Sequence, residues 1–127
     1  MNCQVEYKDC GDYLLIRLLG QLRDPDIESL VRDASGQMMN GDHTRVFIDS
    51  TAQDQSTSTF GDYRTVQMFM EISQGRRFRI VELVSPERVD NFKFLENVAR
   101  NRGISFRVFD DQSEALTWLR SGASGPQ

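Results

Sequence analysis

The side chains most able to do chemistry in this chain are hydroxyls gathered between residues 50 and 59. They are Ser50, Thr51, Ser56, Thr57, Ser58 and Thr59. A serine or threonine hydroxyl can accept a phosphate, which adds about −1.5 to −2 charges at neutral pH. Asp54 and Asp62 lie close by in the sequence, so such a charge would act beside carboxylates. Hydroxyls are also ordinary residues of turns and helix starts, and a purely structural role is the alternative.

A strand and a helix must position this cluster. Residues 45–51 form a short apolar run that ends in an acid and hydroxyls, which predicts a buried strand over 45–50. A polar loop over 52–59 and a helix from Phe60 are expected to follow. Thr59 with Asp62 three residues later fits a capping-box pattern, with aspartate in the glutamate position, so Thr59 is the predicted N-cap and Ser58 the alternative.

The carboxyl ends of the other predicted strands carry further polar residues. In open α/β sheets this edge is where ligands and partners usually bind. We therefore predict a partner or ligand surface there, made of Asp49, Ser50, Thr51, Ser56, Thr57, Asp62, Ser85 and Asp110. Acids at strand ends also invite comparison with a phosphoacceptor receiver domain. That chemistry needs an acidic pair after the first parallel strand, where this chain has Leu19-Gly20-Gln21, and a lysine after the last, where it has Asp110-Asp111-Gln112.

Patterns typical of enzymes and metal sites are missing from the sequence. There is no Gly-x-Ser-x-Gly elbow and no glycine-rich phosphate loop. His43 is the one histidine and precedes a strand, so we expect it on the surface at the wrong edge of the sheet. Cys3 and Cys10 are expected to be free thiols, because an extended segment places them roughly 20 Å apart. We therefore predict no catalysis, no metal site and no cofactor.

Turn residues and apolar periodicity divide the chain into nine elements. A hairpin of strands over 3–8 and 13–19 comes first, then a helix from Asp24-Pro25-Asp26 to Asn40-Gly41. After the strand at 45–50 and its helix, a strand over 78–84, a helix opened by Ser85-Pro86, a strand over 104–108 and a last helix over 115–119 follow. The order β-β-α-β-α-β-α-β-α predicts an α/β fold with a mixed, mostly parallel five-stranded sheet and helices on both faces.

Two sets of apolar residues carry further predictions. The stripe Phe60, Tyr63, Val66, Phe69 and Met70 is expected to pack in the core, with a ligand pocket as the alternative. Trp118 is expected against the sheet, because a helix this short must be held by packing. We predict one domain over residues 1–121 and a disordered tail over 122–127.

Charge and hydropathy limit the partners. The formal net charge is −4, which argues against binding to nucleic acid or anionic lipid. No apolar run approaches the ~18 residues of a membrane span. The start of the sequence lacks the features of a signal peptide, so we expect a cytoplasmic protein.

Several short motifs resemble those of one bacterial family. They are Asp62-Tyr63-Arg64, Pro86-Glu87-Arg88-Val89-Asp90, Val98-Ala99-Arg100-Asn101-Arg102-Gly103, Val108-Phe109-Asp110 and Ala115-Leu116-Thr117-Trp118-Leu119. With the N-terminal hairpin and the hydroxyl-rich entry to a helix, they resemble small bacterial STAS-like proteins of the SpoIIAA-like group. That group is related in fold to CRAL-TRIO lipid-binding domains. The likeness covers roughly residues 3 to 121.

The resemblance implies a function and a modification site. Anti-sigma-factor antagonists of this family carry Asp-Ser-Ser-Gly at the start of the second helix, where a serine takes a phosphate. Here residues 57–60 are Thr-Ser-Thr-Phe, so Ser58 and Thr59 are the positional matches, while the acid and the glycine are absent. The resemblance implies a non-catalytic regulatory domain that binds another protein, a regulator or a kinase. A small-molecule domain for a lipid or nucleotide is the alternative, and the oligomeric state stays open.

Overall fold

The computed structural model describes residues 3–41, 43–56 and 59–121, with the backbone alone at 54–56 and 59. The predicted tail over 122–127 lies outside the described residues. In chain order the strands and helices are β1 Cys3–Asp9, β2 Leu14–Arg23, α1 Ile27–Asn40, β3 Arg45–Ser56, α2 Thr59–Ser73, β4 Arg79–Leu83, α3 Lys93–Asn101, β5 Ser105–Phe109 and α4 Gln112–Arg120. Short 3-10 turns precede α1 and α3, at Asp24–Asp26, Pro86–Arg88 and Asp90–Phe92.

The five strands form one sheet in the order β1-β2-β3-β4-β5. β1 is antiparallel to β2, and the other neighbours pair in parallel. Apolar residues of α1, α2 and α3 pack on one face of the sheet, and Ala115 and Leu119 of α4 pack on the other. The predicted mixed, mostly parallel α/β sheet with helices on both faces is confirmed.

The prediction of a strand ending at residue 50 and a polar loop over 52–59 is wrong. β3 continues to Ser56, and its extension pairs with β2 from Leu19↔Ala52 to Arg23↔Ser56. A bulge shifts the register after Arg17, where two residues of β2 span three of β3. β3 pairs with β4 only as far as Asp49↔Leu83. Beyond Asp49 the extension therefore pairs with β2 and not with β4.

The prediction for the apolar stripe of α2 is wrong for three of its five residues. Val66 is buried and Phe69 is half-buried, but Phe60, Tyr63 and Met70 are 73, 46 and 37% exposed. The cause is close contact between α2 and the start of α1 at Gly61. A Cβ added there would lie 2.5 Å from Asp24 Oδ1 and 2.8 Å from Ile27 Cδ1. This contact turns the neighbouring Phe60 outward.

Three local features are the cap of α4, the two cysteines and the histidine. Asp111 caps α4 by accepting a hydrogen bond from the Glu114 amide at 2.9 Å. Cys3 and Cys10 are both free, which confirms that prediction. The prediction of a surface histidine is wrong, because the His43 side chain is 15% exposed and its Nε2 lies 2.9 Å from Asp9 Oδ1.

Among the helices of the described residues, none is both long and apolar enough to span a bilayer. The same residues contain no group of three or more His, Cys, Asp or Glu side chains placed to hold a metal ion.

Candidate functional site

A buried pair joins one predicted site residue to an acid of the neighbouring strand. Ser50 of β3 is fully buried, and its hydroxyl donates a hydrogen bond to Glu82 Oε2 of β4 at 2.5 Å. Both side chains point to the sheet face that α1, α2 and α3 cover, beside Ile48 and Ile80. Ser50 is therefore a buried hydrogen-bond donor to the Glu82 carboxyl group, and it is not part of an exposed loop.

Glu82 is a buried acid of this layer with a strongly shifted pKa. Burial raises its pKa from an ordinary 4.5 to about 7, the Ser50 hydrogen bond lowers it, and the nearby charge of Asp62 raises it. Asp62 of α2 is itself only 8% exposed, so its predicted place on an open surface is wrong. Asp62 and Glu82, which belong to different elements, thus face the same interior. Their spacing along the chain does not predict that they are close.

Asp49 and Thr51 form a separate polar group. Asp49 follows Phe47, which packs on the α4 side of the sheet, so it faces away from Ser50. Its Oδ1 accepts hydrogen bonds from the Thr51 amide at 3.0 Å and the Thr51 hydroxyl at 2.7 Å. Arg17 of β2 lies 3.6 Å from its Oδ2. The predicted cluster is therefore divided between the two faces of the sheet.

The remaining predicted residues are at the strand ends or beyond the described part. Ser85 is half-buried and its carbonyl accepts the Arg88 amide at 2.9 Å, while Asp110 is exposed just after β5. Ser56 ends β3 and Thr59 begins α2, with no side chain described for either. Thr57 and Ser58 lie outside the described residues.

The surface that the structure adds is the exposed side of α2. We call it the α2 outer face, made of Phe60, Tyr63, Gln67 and Met70, which recur at helical spacing. Of the four large apolar side chains that are exposed among the described residues, three lie on this face and the fourth is Phe94 of α3. Because single exposed apolar residues are common but aligned ones are not, this face has the composition of an interface core.

Cationic groups border the α2 outer face. The Arg102 guanidinium lies 5.0 Å from the centre of the Tyr63 ring and donates hydrogen bonds to the Tyr63 hydroxyl and, at 3.4 Å, to Gln67 Oε1. Arg64, on the adjacent side of the helix, lies 3.4 Å from Glu28 of α1 and is half exposed. The Arg102 contacts hold Tyr63 in place and put a guanidinium group beside the apolar stripe, whereas the charge of Arg64 is offset by Glu28.

Sequence reasoning missed both Glu82 and the α2 outer face. The Glu82 that follows Ile80 and Val81 in β4, a strand whose five residues are all buried, was a visible sign that an acid is buried there. The outward turn of Phe60 had one sign, the glycine that follows it at position 61, but the contact with α1 was needed to interpret it.

No protein-family model matches the chain, and no curated protein is similar to it in sequence. Solved structures do match over nearly the whole chain. An anti-sigma factor antagonist from Mycobacterium paratuberculosis has a TM-score of 0.68 at 14% identity, covering 94% of this chain and 95% of that one. The anti-sigma factor antagonist SpoIIAA in its unphosphorylated form has a TM-score of 0.61 at 17% identity, covering 95 and 100%.

A third solved structure matches as well. It is an uncharacterised protein of the DUF3478 family with a SpoIIAA-like fold, from Shewanella loihica, with a TM-score of 0.57 at 21% identity, covering 93 and 94%. At these identities the likeness is one of fold, and it agrees with the strand order and with the α1–α3 and α4 layers described above.

Proposed function

Since the chain has the SpoIIAA-like fold, we propose that it is a non-catalytic regulatory domain that binds another protein through the α2 outer face. Three of the matched structures, two of them SpoIIAA, are anti-sigma factor antagonists, and SpoIIAA has been solved in a phosphorylated as well as an unphosphorylated form. The proposal extends that kind of role to this chain, acting in the cytoplasm.

The observation that carries the proposal is the exposure of Phe60, at 73%, in line with Tyr63 and Met70. Aromatic and methionine side chains are enriched at the cores of protein interfaces, where their burial supplies most of the binding energy. Phe60 and Met70 are ten residues apart on one helix, so the stripe is about 15 Å long. That length suits a helix or groove of a partner protein.

The charges beside the face define the partner further. Arg64 and Arg102 border the stripe, so the partner we propose presents an apolar patch bordered by acidic groups. Ser58 and Thr59 precede Phe60 directly, and a phosphate on either would add about −1.5 to −2 charges at the end of the stripe. We propose these two residues as the phosphoacceptors and a kinase as a second partner, since added negative charge there opposes an acidic partner.

The test is capture of the partner from the native cell by wild-type protein and by variants. Phe60→Glu places a charge on the most exposed apolar residue of the proposed interface and should weaken binding of the captured partner by roughly a hundredfold. The double change Ser58→Glu, Thr59→Glu should weaken it in the same direction.

The matched control is Thr117→Glu, which adds the same charge to an exposed position on α4, across the sheet. It should bind as the wild type does. A partner that Phe60→Glu retains fully, or that Thr117→Glu loses equally, would refute the α2 outer face as the binding surface.

A further inference from the structure

A cavity of about 160 Å³ lies between the sheet and helices α1, α2 and α3. Its lining is mostly aliphatic and aromatic, with Ile16, Leu30 and Phe69 among the contributors. Four polar residues also line it: Ser35, Asp62, Thr65 and Glu82. The cavity is therefore an apolar chamber with one carboxyl group from α2 and one from β4 in its lining, and it is separate from the α2 outer face.

Its size selects a small occupant. An apolar cavity of about 150 Å³ holds a benzene molecule, whereas pockets for drug-sized ligands are about 300 to 1,000 Å³. Between the alternatives of lipid, nucleotide and smaller molecules, the volume favours a molecule with a single ring or a short branched chain. A phosphate group would also be repelled by the carboxyl groups of Asp62 and Glu82.

The carboxyl groups determine which polar group a molecule bound in the cavity should carry. Glu82 is 5% exposed, with Ser50 donating to one of its oxygens, and Asp62 acts on it through its negative charge. Glu96, the buried acid of α3, does not line the cavity, because its Oε2 accepts the Val108 amide at 2.7 Å and Lys93 lies 3.6 Å from its Oε1. In an apolar interior, a cation beside a carboxylate is strongly favoured over an anion.

We infer that this cavity binds a small amine, with its hydrocarbon part among the apolar side chains of α1 to α3 and its ammonium group against Glu82. The charge of Asp62 adds to the attraction for the cation. The site is independent of the proposed protein partner, since none of the four residues of the α2 outer face lines the cavity. Failure of one proposal therefore leaves the other standing.

The probes are benzylamine, its neutral analogue benzyl alcohol and its anionic analogue benzoate, which share one ring and differ in the polar group. Titrations at about pH 8 are followed by protein NMR and by calorimetry; there the Glu82 carboxyl is ionised while an alkylamine keeps its proton. We expect benzylamine to bind roughly tenfold or more tightly than benzyl alcohol, and benzoate not to bind.

Two variants and a control locate the site. Glu82→Gln should weaken benzylamine binding by roughly tenfold or more, whereas Glu96→Gln, the same change at a buried acid outside the cavity, should leave it unchanged. Ala34→Leu, at a half-buried lining position of α1, should abolish binding by filling space while Glu82 stays in place. It keeps the test decisive if Glu82→Gln does not fold.

Three results would overturn the inference. The first is that neither benzylamine nor the short branched amine isobutylamine binds at about 10 mM. The second is equal affinity for benzylamine and benzyl alcohol. The third is benzylamine binding that Ala34→Leu leaves unchanged.

Discussion

At the scale of single residues, Glu82 has the largest consequence for the behaviour of the protein. A carboxyl group in an apolar interior favours its neutral form, which is why burial raises its pKa to about 7. The Ser50 hydroxyl partly offsets this by donating to the carboxylate. The group therefore changes charge within the physiological pH range, inside the layer that supports α2.

Glu82 should make the protein less stable as the pH rises. Below about pH 4.5 the folded and unfolded states both hold the proton, and the stabilisation is complete. From there to about pH 7 the unfolded state loses its proton while the folded state keeps it, so the free energy of unfolding falls, by on the order of 3 kcal/mol.

Urea denaturation from about pH 5 to pH 8 measures this effect, and the difference between wild type and Glu82→Gln isolates it from other groups. Asp9 and Asp12 have lowered pKa values, through hydrogen bonds from the Gly11 amide and from Arg120 respectively, so their contribution to stability is lost only below this pH range and is the same in both proteins. A difference between the two proteins that stays constant with pH would contradict the assignment.

Residue types in the sequence predicted hydrogen-bonding hydroxyls correctly but not their surroundings. Ser50 and Asp49 are neighbours in the chain, and alternation along a strand sends them to opposite faces. Which face is buried beneath three helices depends on the crossovers, so the burial of Ser50 and its pairing with Glu82 could not be deduced from one segment.

At the scale of elements, α4 shows how a short helix is held to a sheet. Arg79 of β4 places its guanidinium 3.6 Å from the centre of the Trp118 ring and donates two hydrogen bonds, of 3.0 and 2.8 Å, to the Trp118 carbonyl. The ring also lies 6.2 Å from that of Phe109. Trp118 is half-buried, so its predicted packing against the sheet is present without full burial.

Trp118→Ala should therefore destabilise the protein by about 2 to 3 kcal/mol, below the 3 to 5 kcal/mol typical of a fully buried tryptophan. The loss combines buried apolar area with the stacking of Arg79. Chemical denaturation of the variant gives the value. A cost below about 1 kcal/mol would mean that the ring contributes little to holding α4.

The existence and order of the strands and helices could be predicted from the sequence, whereas the extension of β3 and the outward face of α2 could not. Apolar periods and turn residues predicted all five strands and the four helices. The extension of β3 was missed, because residues 52–56 are polar and only pairing with β2 keeps them extended. The outward turn of α2 was missed because apolar periodicity does not tell which stripe the packing at Gly61 buries.

At the scale of the whole molecule, the sheet separates two kinds of surface. On one side, α1, α2 and α3 enclose the cavity and present the α2 outer face to solvent; on the other, α4 covers Phe47 and Val81. A partner seated on the α2 outer face would therefore contact the layer that contains Glu82. Position 117 on α4 faces away from it and serves as an internal reference.

Site-specific photo-crosslinking in the native cell tests the proposed function most directly. A photoreactive benzoylphenylalanine is placed at position 60, 70 or 117 in turn, and the crosslinked products are identified by mass spectrometry. Positions 60 and 70 are expected to give the same discrete protein adduct, and position 117 none. The absence of an adduct at positions 60 and 70, or the same adduct in equal yield from position 117, would contradict binding through the α2 outer face.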